Sequence, residues 1–338
     1  MSETANAPTT TRDLRVGLIG LGSMGRHHAR VIRATPGIEL VAVADPGGDR
    51  FGVAGELELL PDVAALIDVG LDAAMVAVPT VYHEEVALAL AEAGVPTMVE
   101  KPIAHSVQAG RRVADAFASR DLVGAVGYVE RCNPALRALR ERLDAGELGQ
   151  VYQVLTRRQG PFPARISDVG VVKDLATHDV DLTAWVAGSP YCSISAQVTH
   201  RSGRANEDMV VANGLLANGV IVSHTVNWLT PFKERVTIVT GEKGAFVADT
   251  LTGDLTFHAN GTVESSWDQV ANFRGVSEGD VIRYAIPKRE PLALEQEHFR
   301  DAVLGTGSEA VTMADGVATL IVVEAILASA SENRVVEI

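Results

Sequence analysis

Between Leu14 and Tyr128, apolar runs of strand length alternate with segments of helical spacing, and no other feature limits the fold so strongly. The runs are Leu14–Gly20, Ile38–Asp45, Leu71–Pro79, Val95–Glu100 and Leu122–Tyr128. The helical segments are Met24–Thr35, Pro61–Asp68, Val81–Ala93 and Ser106–Arg120, opened by helix-start residues such as Ser23 and Pro61. Strands that are apolar at nearly every position must be covered on both faces. Parallel neighbours need long crossovers, here helices, so the pattern predicts an α/β unit built on a doubly wound parallel sheet.

The second half bunches its strands instead. Pro134–Ala145 has amphipathic helical spacing, Val151–Gln159 reads as a strand, and a Pro-rich loop over 160–165 follows. From Ser193 to His258, β-rich segments are punctuated by Ala217-Asn218-Gly219, which looks like a hairpin, and by a turn at 241–244. Helical periodicity returns at Leu292–Leu304 and Thr312–Ala330. The 338 residues leave room for two domains. We expect a disordered lead at 1–13, a dinucleotide-binding domain at 14–127 and a substrate-binding, oligomer-forming α/β domain at 128–338.

A formal net charge of −14 makes nucleic acid an improbable partner, because binding a phosphate backbone requires a basic face. No run reaches the roughly 18 uninterrupted apolar residues of a membrane span. The nearest approach, Val317–Ala330, carries Glu324. Met1–Asp13 is rich in Thr, Ala and Asn and lacks the apolar centre of a signal peptide. Cys132 and Cys192 form no CxxC and suggest neither a disulfide framework nor a thiolate metal site. These features predict a soluble cytoplasmic protein with no metal centre.

Directly after the first strand stands Gly20-Leu21-Gly22-Ser23-Met24-Gly25, opening a helix, with Asp45 at the end of the second strand about twenty residues on. In that context the glycines serve a dinucleotide. Gly20 allows the tight turn, Gly22 lets the backbone approach a pyrophosphate, and Gly25 lets helix and strand close up. The helix start at Ser23 and Met24 supplies N–H donors and a positive dipole end. Asp45 accepts ribose hydroxyls and repels a 2′-phosphate, favouring NAD over NADP, although Arg50 nearby softens that preference. Strand ends line the ligand crevice in such sheets. Pro79, Thr80 and His83 are thereby expected near the nicotinamide, with a backbone-bonded helix-start role as the alternative for His83. Lys101 follows Glu100 at another strand end, where a half-buried ammonium suits a developing alkoxide; an ion pair with a neighbouring carboxylate is its alternative.

The stretch from Val171 to Leu182 carries Asp174 and His178 four apart on one helix face, with Asp181 and Trp185 further along the same side. Taking hydride from a secondary alcohol requires the hydroxyl proton to leave as well. An imidazole with an unperturbed pKa near ~6.5 is the natural acceptor at neutral pH. Asp179 and Asp181 beside this histidine lack a second His or Cys at metal-ligand spacing.

Residues 17–28, Ala44-Asp45-Pro46, Val78-Pro79-Thr80 with His83, and Glu100-Lys101-Pro102 resemble the glucose–fructose oxidoreductase/inositol dehydrogenase (Gfo/Idh/MocA) family, and Asp174 with His178 is similar to its DxxxH motif. The likeness implies an N-terminal Rossmann domain and a C-terminal α/β domain on a large open, mainly antiparallel sheet. It further implies NAD(P)-dependent oxidation or reduction of a sugar or cyclitol hydroxyl. Lys101, Asp174 and His178 are then the catalytic set, and Gly20, Gly22, Ser23, Met24, Gly25, Asp45, Pro79, Thr80, His83 and Glu100 the cofactor set. The segment from Arg158 to Val172 resembles the branch that oxidises C3 of nucleotide-linked sugars. Arg158 and Arg165, with Arg131 and Asn133 past the domain boundary, are candidate contacts for a phosphate or carboxylate; for each arginine a structural ion pair is the alternative. An inositol or free-sugar dehydrogenase, a ketosugar reductase and a non-catalytic NAD-binding regulator remain open. An open sheet needs a cover, so a homodimer or homotetramer through the C-terminal sheet is expected.

Overall fold

Along the first strand Val16 and Leu18 point to one side and Ile19 to the other, and a separate hydrophobic core receives each set. The computed structural model, which describes residues 12–163, 169–261, 277–307 and 309–338, places this strand, β1 (Leu14–Ile19), inside a six-stranded parallel sheet. Its companions are β2 (Ile38–Ala44), β3 (Leu59–Leu60), β4 (Ala73–Val76), β5 (Thr97–Glu100) and β6 (Gly124–Gly127), in the order β3-β2-β1-β4-β5-β6. Met75 and Met98 join Val16 and Leu18 on one face, while Val76, Val99 and Val126 join Ile19 on the other. That is why these runs lack polar alternation.

The crossovers are α1 (Ser23–Ala34), α2 (Val63–Asp68), α3 (His83–Glu92) and α4 (Val107–Ala118). Asp62 and Ser106 cap α2 and α4 by accepting the Ala65 and Ala109 N–H groups. A single 3₁₀ turn, Thr80–Tyr82, precedes α3 where the sequence predicts an unbroken helix. The two-residue β3 escaped the sequence reading because its length carries no periodicity.

The second sheet has nine strands in the order β14-β13-β12-β11-β7-β10-β9-β8-β15. These are β7 (Val151–Pro161), β8 (Tyr191–Thr199), β9 (Met209–Leu216), β10 (Ile221–Asn227), β11 (Leu229–Gly241), β12 (Gly244–Asp249), β13 (Asp254–Gly261), β14 (Ser277–Arg283) and β15 (Val336–Glu337). Every pairing is antiparallel except β10 with β7. The hairpin after Leu216 and the turn between Gly241 and Gly244 stand where the sequence puts them. One face, with Val154, Val210, Val222, Val239 and Phe246, packs in a single core with α5 (Pro134–Asp144), α6 (Thr177–Ala187) and α8 (Met313–Glu332).

The chain's end returns to its beginning. From α7 (Pro291–Leu304), Phe299 enters the core behind the first sheet, and Gln296 donates to His28 of α1. The Val126 N–H donates to the Val311 carbonyl, extending β6 by an isolated bridge. Thr312 and Asp315 form a reciprocal capping box on α8. By length and composition α8 is apolar enough to cross a bilayer, and here most of it is buried against α4, α6 and β8.

Candidate active site

Three glycines after β1 do different work. Gly20 has φ +93°, and a Cβ there would stand 2.5 Å from the Ala77–Val78 backbone. A Cβ on Gly25 would overlap the Gly20 carbonyl oxygen. Around Gly22 nothing lies within 4 Å of the Cβ position, so the chain itself gives no reason for glycine there. That open space lies at the N-terminus of α1, whose cap Gly22 offers no side-chain hydrogen bond. Such a terminus attracts a pyrophosphate. Asp45 at the end of β2 accepts the Leu21 N–H (2.7 Å) on one oxygen and the Gly47 N–H (2.7 Å) on the other. Each oxygen keeps a second lone pair for a ribose hydroxyl. These residues fit NAD, with Ser23 and Met24 in the first turn of α1.

A cavity of about 590 Å³ opens beyond the loop, bordered by Met24, Pro79, Thr80, His83, Glu100 and Lys101 from the first half and by Asp174 and His178 from the second. Lys101, directly after β5, crosses this space. Its Nζ donates to the Asp174 carbonyl oxygen (2.6 Å) and to Asp174 Oδ1 (3.1 Å), with side chains 15% and 6% exposed. The structure thus brings Lys101, Asp174 and His178 to one cavity. A π-helical turn, Val172–Ala176, carries Asp174 into α6, where the sequence predicts continuous α-helix. Such wide turns recur at functional sites. His178 sits edge-on to Tyr128, with ring centroids 6.2 Å apart.

Two of the residues bordering the cavity, Glu100 and His83, are tightly held. Glu100 accepts His28 Nε2 (2.8 Å) and the Lys101 N–H (3.0 Å). Burial opposes its ionisation, but the hydrogen bond from His28 and the charge of Lys101 outweigh that and hold its pKa below the ordinary value. His83 borders the cavity with both ring nitrogens against carbonyl oxygens, Nδ1 at Pro102 (2.8 Å) and Nε2 at Val78 (2.9 Å). Burial lowers its pKa, so the neutral ring donates to one of these carbonyls.

Of the four candidate anion contacts, the three within the described residues are each held by partners in the protein. Arg158 borders the cavity but is 3% exposed. Its Nε donates to both oxygens of Asp179 (3.1 Å each) and its Nη1 to Glu130 (2.7 Å). Arg131 stands at a different cavity, of about 510 Å³, where it is bidentate on Asp181 (2.6 and 2.9 Å) and 3.4 Å from Asp315. Asn133 caps α5 through the Ala135 N–H and donates to the Thr250 carbonyl, so its side chain is spent on the fold. Arg165 lies outside the described residues. Asp179 and Asp181, beside His178, are each held by an arginine. The sequence reading missed Arg235, Glu130 and Lys173, all on the cavity wall, and His28 behind it. Arg235 shares strand parity with buried Thr237 and Val239, a signal legible once the register of β11 is known.

Comparison with known proteins agrees with this geometry. Residues 14–128 match the model of the oxidoreductase family with an NAD-binding Rossmann fold, and residues 136–247 match the GFO/IDH/MocA C-terminal domain. A UDP-N-acetylglucosamine 3-dehydrogenase from Acidithiobacillus ferrooxidans is 32% identical over 95% of this chain and 96% of its own. Its solved structure superposes with a TM-score of 0.83 at 26% identity, covering 95% of this chain and 99% of that one. Inositol 2-dehydrogenase 2 of Saccharopolyspora erythraea is 33% identical over 62% of this chain and 65% of its own. A protein from gentamicin A biosynthesis, solved with NAD, gives a TM-score of 0.80 at 25% identity over 100% and 99% of the two chains. With matches to both domains and a relative similar along nearly its whole length, the chain belongs to the GFO/IDH/MocA family of NAD-dependent oxidoreductases, dehydrogenases of CH–OH groups.

Proposed function

We propose that this dehydrogenase oxidises a secondary ring alcohol of a sugar, at C3 of a nucleotide-linked substrate, using NAD. The observation that carries the reading is the convergence of Lys101, Asp174 and His178, from two halves of the chain, on the cavity next to the glycine loop. The choice of a nucleotide-linked sugar draws support from the full-length similarity to a UDP-N-acetylglucosamine 3-dehydrogenase, whereas the inositol dehydrogenase match covers 62% of this chain.

In this reading the substrate hydroxyl lies between Lys101 and His178. NAD, when bound, accepts the hydride from the alcohol carbon. His178 takes the hydroxyl proton as the carbon–oxygen double bond forms, and Lys101 stabilises the negative charge that develops on oxygen. Asp174 fixes the Lys101 ammonium and orients the hydroxyl. The same groups run in reverse for ketosugar reduction. A regulator that only binds NAD has no need to bring these three side chains to one cavity.

The test is reduction of NAD by the purified protein with UDP-N-acetylglucosamine, myo-inositol and free hexoses, followed by the absorbance of the reduced nicotinamide and including a single-turnover scan. UDP-N-acetylglucosamine is expected to react, its product carrying a C3 ketone. His178→Ala should lower kcat by about 10²–10⁴ while leaving NAD affinity intact. Turnover of myo-inositol alone, or undiminished turnover by His178→Ala, overturns the proposal.

A further inference from the structure

Lys101, Arg158, Lys173 and Arg235 border the cavity, together with the carboxylates Glu100, Glu130 and Asp174, in a chain whose net charge is −14. An acidic protein that gathers four cations around one cavity does so for a reason, and their partners separate them. Lys101 is committed to Asp174. Arg158 is enclosed by Asp179 and Glu130. Lys173 donates to the His105 carbonyl at 3.2 Å. Arg235 differs from these. Its ion-pair contact is 3.8 Å, to Glu130 Oε1, the same oxygen that accepts Arg158 at 2.7 Å. Its side chain is 37% exposed.

Position explains the difference. Arg235 on β11 lies directly across from Arg158 on β7, so two guanidinium groups leave the same face of the sheet side by side. Glu130 and Asp179 accept hydrogen bonds from the inner one, whereas the outer one comes no nearer to Glu130 than 3.8 Å. Burial and the neighbouring Arg158 both act to lower the pKa of Arg235. Arg235 borders the same cavity as Lys101, Asp174 and His178.

We infer that Arg235 receives an anionic substituent of the substrate, a carboxylate or a phosphate, and thereby selects acidic over neutral sugars. The inference rests on the sugar-oxidising reading above and gives it a recognition residue. A guanidinium binds either anion through two parallel N–H donors, and lysine reproduces the charge without that geometry. Arg158 is the supporting residue: it takes Glu130 Oε1, the oxygen nearest Arg235.

The test compares wild type, Arg235→Gln and Arg235→Lys, each with NAD and four substrates: N-acetylglucosamine, its 1-phosphate, glucuronic acid and UDP-N-acetylglucosamine. NAD binding by each variant reports that the fold is intact. Wild type should favour one or more anionic substrates over the neutral sugar. Arg235→Gln should lower kcat/KM for the favoured substrate about 10- to 100-fold more than for N-acetylglucosamine, chiefly through KM, with partial recovery in Arg235→Lys. The two phosphate-bearing arms and the carboxylate arm distinguish the source of the anion. Equal losses on charged and neutral substrates, or a wild type that favours the neutral sugar, overturn the inference and leave the sugar-oxidising reading standing. Absence of turnover with every substrate sinks that reading instead. Calorimetry on the NAD-loaded protein then decides for Arg235: an anionic sugar bound by wild type and lost in Arg235→Gln supports its role, and any other result ends it.

Discussion

At Asp179 burial outweighs the attraction of a neighbouring guanidinium. Burial, aided by the like charge of Glu130, outweighs the pull of Arg158 and leaves the carboxyl raised from 3.8 to about 6. The native chain therefore holds this proton more tightly than the unfolded chain does. The stability it contributes is full below about pH 3.8 and is lost as pH rises through about 6. Glu100 and Glu130 have the opposite sign, since their pKa values are lowered and their contributions fade on acidification. A comparison with Asp179→Asn isolates the one group. From pH 4 to 7, urea melts should show wild type losing stability relative to the variant, and a difference constant across that range would contradict the assignment. The same neighbourhood shows what a sequence reveals of a single residue. The strand-end place of Lys101 and the shared helix face of Asp174 and His178 were legible as local spacing, whereas their meeting was expected only from the family resemblance. The place of Arg131 was not legible, because its charge is local information while its partners Asp181 and Asp315 lie 50 and 184 residues away.

The glycine loop separates structural glycine from ligand-facing glycine within one element. Gly22 has φ −72° and ψ −156°, allowed for any residue, and open space where a side chain would go. Gly22→Ala should fold with a melting temperature close to wild type yet bind NAD at least about tenfold more weakly, since the added methyl occupies the approach to α1. Gly25→Ala should fail the other way, losing stability before cofactor binding is considered, because its Cβ meets the Gly20 carbonyl. Thermal melts and NAD titration of both variants separate the two effects; an unchanged NAD affinity in Gly22→Ala would remove the ligand-facing role. At this scale the parallel sheet was legible from its uninterrupted apolar runs. Three features were not. The strands β3 and β15 are two residues each. The parallel pairing of β10 with β7 joins segments about 70 residues apart, which no local pattern encodes. The π turn before α6 changes backbone spacing without changing residue type, and it carries the Asp174 carbonyl that receives Lys101.

At the scale of the whole molecule, one face of the nine-stranded sheet is left uncovered by the described residues. Antiparallel sheets with one wet face alternate apolar and polar residues. Here the outward positions include Leu155, Val211, Leu215, Ile221, Ile238 and Val247, and Val211, Leu215 and Ile221 are exposed. Leu215 and Ile221 face each other across β9 and β10. We propose that a second copy of the chain covers this face. Nine strands at ~4.8 Å spacing and seven residues at ~3.3 Å present on the order of 1,000 Å², comparable with the ~800 Å² per partner of a standard interface. Charge favours a copy over another protein. A molecule of net charge −14 repels itself wherever its carboxylates meet, and this face offers a two-fold contact in which the same largely apolar patch, its Arg157 paired with Glu234, serves both sides. Light scattering on the purified chain should give at least a dimer at micromolar concentration. A Leu215→Glu, Ile221→Glu double variant should dissociate to monomers that still bind NAD, because the glycine loop lies on the other sheet. A wild-type monomer, or a double variant that stays associated, would show that something else covers the face.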